Sequence, residues 1–194
     1  MVKNIMIVGV GGQGSLLASK LLGHLLLGQG YDVKVSEVHG MSQRGGSVVT
    51  YVRYGDKVYS PVIDEGEADC IVSFEQLEAA RWMGYLKPGG VVVTNTQKTD
   101  PMPVITGAMA YPEDLIAKMR AKGAKVDAVD ALPLAERAGS SKAVNLVLLG
   151  RLSRHFEFGD TVWQEAIDAC VPPKFLEMNK KAFALGKESG SDSN

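Results

Sequence analysis

The sequence predicts an α/β fold, a mainly parallel sheet with an inserted β-hairpin and a helical C-terminal part, on three observations. An apolar run closed by glycines leads into a leucine-rich helix and then a second strand. A stretch rich in valine, threonine and tyrosine follows where strict alternation would place a helix. From Leu132 onward the pattern is helical. The 194 residues suffice for one sizeable core. One domain is expected over residues 1–186, and residues 187–194, rich in Ser, Gly and Asp, are expected to be a disordered tail.

Taken in order, Ile5-Met6-Ile7-Val8 reads as a strand buried on both faces, and residues 15–27 as a helix stopped by Gly28 or Gly30. Residues 32–38 alternate and form the second strand, completing a βαβ unit with a right-handed crossover. Residues 47–54 and 57–63, separated by Gly55-Asp56, predict the hairpin. Buried strands return at residues 70–74 and 91–95, with a helix at 75–83 between them. Residues 106–111 and 124–129 are further strand candidates, and Pro112 opens a helix at a position proline tolerates. Helices are then expected at about 133–138, 141–155, 160–170 and 172–186, with Asp160 as an N-cap.

Composition narrows the function. Lys and Arg total 21 against 22 Asp and Glu, a net charge of -1, so nucleic acid is a poor partner. Cys70 and Cys170 are the two cysteines and are far apart in sequence, so this chain alone holds neither an iron–sulfur cluster nor a structural zinc through thiolates. Both read as buried, reduced thiols. The first ten residues lack the apolar core and cleavage site of a signal peptide, and residues 16–27 are too short to span a bilayer, so a cytoplasmic protein away from membranes is expected.

Gly9-Val10-Gly11-Gly12-Gln13-Gly14 satisfies G-x-G-x-x-G between a predicted strand and a predicted helix, the Rossmann-like context that gives the pattern meaning. Glycines let the chain turn tightly, and free N–H groups at a helix start favour an anion such as phosphate. The same glycines also serve close helix–strand packing or contact with another protein. Glu37 ends the second strand about 20 residues on, where a nicotinamide ribose would find an acid. Yet a proton-transfer cluster for a dehydrogenase is missing, and His24 and His155 read as packing or capping residues. A second loop, with Ser42, Gln43, Arg44, Gly45 and Gly46, falls on the same rim. There Arg44 offers a planar cation for carboxylate or phosphate. Leu16, Leu17, Leu21, Leu22, Leu25, Leu26 and Leu27 cover most of the first helix, more than one buried face needs. Later helices or a partner subunit would cover the excess.

Together the Gly9–Gly14 loop, Glu37-Val38-His39-Gly40-Met41-Ser42-Gln43-Arg44-Gly45-Gly46, residues 145–150 and the late Val171-Pro172-Pro173-Lys174-Phe175-Leu176-Glu177 resemble the gamma-type subunit or domain of the 2-oxoacid:ferredoxin oxidoreductases. The resemblance implies a subunit without catalytic residues of its own, in a complex that decarboxylates and oxidises indolepyruvate and other aryl 2-oxoacids. The acyl group goes to coenzyme A and electrons go to ferredoxin. It also implies that thiamine diphosphate, magnesium and 4Fe-4S clusters reside in a larger alpha-type partner. On this reading Gly9, Gly11, Gly12, Gln13, Gly14, Ser42, Gln43, Arg44, Gly45 and Gly46 line a cofactor site or the rim facing the partner. Homodimerisation of the isolated chain is compatible with it. The competing reading is a stand-alone NAD(P)-binding oxidoreductase or a nucleotide-binding regulatory module.

Overall fold

A computed structural model describes residues 1–39 and 46–190, with the side chain of His39 left aside. Strand β1 (Lys3–Val10) lies in the middle of a six-stranded sheet, and Ile5, Met6, Ile7 and Val8 are buried because its two faces are both covered. Ile5 and Ile7 point into one core and Met6 and Val8 into the other, the period-2 alternation of a strand turned into two layers.

Helix α1 (Ser15–Gly28) follows and buries Leu21, Leu22, Leu25 and Leu26 against the sheet and a later helix. Leu16 and Leu27 stay exposed, at 68% and 62%, and His24 shares their outer side, so it is a surface residue here. The chain returns as β2 (Asp32–His39) and crosses back as β3 (Ser47–Gly55). The sheet order is β2-β3-β1-β4-β5-β6, with β3 antiparallel to both neighbours.

The inserted hairpin is therefore β2–β3, and residues 57–63 are not a strand. Pro61 removes a ladder donor there. The segment is instead tied down by side chains, Arg53 donating to the Ser60 and Val62 carbonyls and the Val58 N–H donating to Asp32 at 2.9 Å. The opening βαβ unit is also split: β1 and β2 run the same way, but β3 lies between them.

Strand β4 (Ala68–Ser73) pairs with β1, helix α2 (Gln76–Arg81) covers the sheet, and β5 (Leu86–Asn95) adds on in parallel. The short helix α3 (Met102–Ile105) begins a rim segment in which residues 106–111 form no strand. Tyr111 is drawn out of any ladder by the hydrogen bond from its hydroxyl to Glu75. Helix α4 (Leu115–Ala121) starts three residues after Pro112, behind Asp114 in the left-handed conformation, and leads to β6 (Lys125–Val129).

Helices α5 (Ala131–Ala138), α6 (Val144–Ser153), α7 (Asp160–Cys170) and α8 (Leu176–Glu188) pack with α1 on one face, while α2 and α4 cover the other. Asp160 is the first residue of α7 and pairs with Lys187 instead of capping the helix. Helices α6 and α8 touch backbone to backbone at Gly150 and Gly186, where a Cβ on either would sit inside contact distance of a carbonyl on the other. Helix α8 carries on through Lys187 and Glu188, past the expected start of the tail. The carbonyls of Ser189 and Gly190 accept from the fully buried Arg151. Arg151 Nε also donates to Asp127 of β6 at 2.6 Å, and His155 Nε2 lies 2.7 Å from the other carboxylate oxygen. No helix among the described residues is long and apolar enough to cross a membrane.

Candidate functional site

Strands β1 and β4 are adjacent, and the connections from them leave in opposite directions, β1 toward β2 and β4 toward β5. This is the switch point at which open α/β sheets form a crevice beyond the carboxyl ends of their strands. A cleft of about 670 Å³ occupies that place. One side is Gly12, Gln13 and Gly14 with Leu17 of α1; the other is Phe74 after β4 and Gln97 after β5. Ser141 and Lys142, in the turn before α6, and Asn145, in the first turn of α6, close it.

The glycine loop is built to stay open. Gly14 has φ 91°, a left-handed conformation that side-chain-bearing residues rarely adopt, and it caps α1. A Cβ there would lie 2.9 Å from Asn145 Nδ2, so the buried Asn145 needs the missing side chain and donates, at 3.5 Å, to the Gly14 carbonyl. Gln13 folds back, its Oε1 accepting the Val10 N–H at 2.7 Å, and thereby fixes the turn. The Gly11 N–H donates to the Gly46 carbonyl at 3.0 Å, so the end of the second glycine-rich segment touches the first loop. Of the expected site residues, Gly9, Gly11, Gly12, Gln13, Gly14 and Gly46 are thus brought together. Ser42, Gln43, Arg44 and Gly45 lie outside the described residues.

Beneath the rim a buried acidic network ties α2 to the start of β3 and to the segment after β5. Glu75 caps α2, accepting from the Glu78 N–H at 2.9 Å, from the Thr99 N–H at 3.2 Å and from the Tyr111 hydroxyl. Burial, and then the Glu75 carboxylate, push the Tyr111 phenol well above its ordinary value, which keeps it a proton donor. Glu78 accepts from Ser47 at 2.5 Å and from Arg81 at 2.9 Å, linking the start of β3 to α2.

Glu37 does not reach the glycine loop. It sits on the edge strand opposite Thr50, whose hydroxyl donates to it at 3.1 Å, and β3 separates it from β1 by two strand spacings, about 9.6 Å. A ribose seated on the glycine loop would need the acid one spacing away, so the geometry removes the strongest support for nicotinamide binding.

The donor set also bears on iron–sulfur clusters. Cys70 on β4 and Cys170 on α7 are both buried, with burial pushing the Cys70 thiol up to about 12 and raising that of Cys170. They lie on different elements and do not fit a cluster. Among the described residues no group of three or more His, Cys, Asp or Glu could hold a metal ion. The cleft itself, with backbone N–H groups at a helix start and the exposed Lys142 on its lip, fits an anionic group.

The family model for pyruvate ferredoxin/flavodoxin oxidoreductase matches residues 4–189. The chain belongs to this family. Among curated members, it is 46% identical to the indolepyruvate oxidoreductase subunit IorB of Thermococcus kodakarensis over 97% of this chain and 96% of that one. It is also 46% identical to the subunit of the same name from Pyrococcus horikoshii, with the same coverage. Among solved structures, pyruvate oxidoreductase subunit PORC from Thermotoga maritima has the same fold, with a TM-score of 0.75 at 21% identity over 97% and 96% of the two chains.

Phe74, Gln97, Lys142 and Asn145 are the site residues that sequence reasoning missed. Phe74 and Gln97 each follow the end of an apolar strand, and that position was the signal available for them. Asn145 belongs to a family-like segment whose role the sequence left open.

Proposed function

We propose that this chain is the smaller, non-autonomous subunit of a 2-oxoacid:ferredoxin oxidoreductase acting on indolepyruvate and other aryl 2-oxoacids. A larger alpha-type subunit carries thiamine diphosphate, magnesium and 4Fe-4S clusters, and the complex works in the cytoplasm with coenzyme A as co-substrate and ferredoxin as acceptor. The observation that carries this reading is the 46% identity to two proteins named as indolepyruvate oxidoreductase subunits, each matched along nearly its whole length. Residues 1–186 act as one gamma-type domain.

In the complex the glycine rim faces the partner. The Gly12–Gly14 turn, the N–H groups opening α1 and Lys142 hold an anionic portion of a ligand shared with it. On the sequence reading Ser42, Gln43, Arg44 and Gly45 serve the same binding role, with the Arg44 guanidinium suited to carboxylate or phosphate. Thiamine diphosphate supplies the carbanion-stabilising chemistry when bound to the partner. This chain's part is to bind, orient and exclude water.

Co-purification from the native extract tests the assembly. A larger subunit with thiamine diphosphate and clusters is expected, together with arylpyruvate-dependent reduction of a viologen dye. Recovery of the chain alone, with saturable NADH quenching of its tryptophan fluorescence, would favour the stand-alone oxidoreductase. Arg44→Ala is expected to lower the rate of the complex more than its thermal stability, and an unchanged rate would remove Arg44 from the site.

A further inference from the structure

The end of the sheet opposite the glycine rim carries a second cleft, of about 570 Å³. Its floor is made by Ile5 and Cys70, near the starts of β1 and β4, and by Val91, which pairs with Cys70 midway along β5. Its walls are four aromatic rings from three separate parts of the chain. Tyr31 meets Tyr54 edge-on with centroids 5.2 Å apart and Phe158 at 6.5 Å, and Phe156 stacks on Phe158 at 5.6 Å. Tyr54 is buried, whereas Tyr31, Phe156 and Phe158 are only half-buried, so aromatic surface remains open to the cavity.

The mouth has a distinct charge arrangement. Asp69 accepts from the Asn4 N–H at 2.8 Å and from Lys87 Nζ at 3.0 Å, and Lys3 Nζ stands 3.8 Å away, beyond hydrogen-bonding distance. Two ammonium groups therefore share one carboxylate. His155 also lines the cleft but is held by Asp127, and Glu157, the other acid of the lining, is exposed on the loop between α6 and α7.

We propose that this cleft binds a small aromatic carboxylate, its flat ring among Tyr31, Tyr54, Phe156 and Phe158 and its carboxylate on Lys3 and Lys87. The volume lies within the range of small-molecule sites, roughly 300–1,000 Å³, and its mix of apolar walls with a few convergent polar groups is what such sites show. Offset or edge-on stacking suits a flat ring, and Lys3 has capacity for a further anion. An aromatic amine would bring a like charge to the two lysines.

The full-length chain carrying Trp82→Phe retains Trp163 as its one tryptophan, packed 6.1 Å from Phe156, and so reports on the aromatic wall. Titrating phenylacetate into it is expected to give a saturable change in emission, with a dissociation constant on the order of 1 mM. Phenylethylamine and acetate are expected to give none over the same range. The Lys3→Ala/Lys87→Ala pair should weaken phenylacetate about tenfold, the scale of a lost charged hydrogen bond. Both side chains are surface-exposed in part, so folding is expected to survive. No saturable response, an equal response to phenylethylamine, or unchanged affinity in the lysine variant would each overturn the assignment.

Discussion

Replacing Gly14 by alanine perturbs the glycine rim at one atom. Two costs arise in the native state. The left-handed backbone at φ 91° disfavours any Cβ by about 1–2 kcal/mol. The new methyl would also lie 2.9 Å from Asn145 Nδ2 and 3.3 Å from its amide carbon, closer than ordinary contact. Asn145 is buried at the head of α6 and its Oδ1 accepts its neighbour's N–H at 2.9 Å, so it yields only by giving up that bond. A total of about 2–3 kcal/mol follows, the overpacking part being about 1 kcal/mol. At about 2–4 °C per kcal/mol for a chain of this length, the midpoint of thermal unfolding should fall by about 4–12 °C. The assay is a double-mutant cycle by calorimetry or urea melts. Asn145→Ala alone should cost about 1 kcal/mol, and the double variant should cost less than the two single changes added together, because the clash has gone. Strict additivity would show that Asn145 is not what the Gly14 methyl meets and would refute the steric account of the loop.

Asp127→Asn leaves the fully buried Arg151 without its carboxylate and should cost about 3–5 kcal/mol, read from urea melts, whereas joint replacement of Asp127 and Arg151 by apolar residues should recover much of it. Burial raises the pKa of Asp127, but hydrogen bonds from His155 and Arg151 outweigh it and hold the carboxyl below its ordinary value. Its stabilisation is therefore present above the unfolded value of about 4 and is lost as pH falls through the lowered native one. In acid titrations followed by circular dichroism, the wild type should accordingly lose more stability below about pH 4 than Asp127→Asn does. Gly186→Ala should destabilise by about 1–3 kcal/mol or more in the same melts, since the methyl meets the Val147 backbone. Gly28→Ala, with nothing within 4 Å, should be neutral or stabilise by up to about 1 kcal/mol.

Central elements were legible because their chemistry is local. Residues 5–8 read as a strand buried on two faces, and the glycine run after them could only be a turn into a helix. Pairing partners were not legible, since they depend on distant residues. Residues 47–54 read as a strand and lie in β3, but their neighbours are β2 and β1, and Pro61 together with the Asp32 and Arg53 anchors decides against residues 57–63. Tyr111 looked like strand because its partner Glu75 is 36 positions away. The same holds for the sites. Gly9 to Gly14 announced one side of the cleft, whereas Phe74, Gln97, Lys142 and Asn145 join it only when four strand and helix ends converge. Glu37 shows the converse: its spacing suited a ribose, and a strand inserted between β1 and β2 carries it out of reach.

On the proposed function this chain contributes to turnover only as part of a complex. Reconstitution tests this: the purified larger subunit is held constant and this chain is added, following arylpyruvate-dependent reduction of methyl viologen with coenzyme A present. The expected result is no reduction by this chain alone and a rate that rises and saturates as it is added. Arylpyruvate oxidation by the isolated chain, or a rate from the larger subunit that is indifferent to its addition, would contradict the claim.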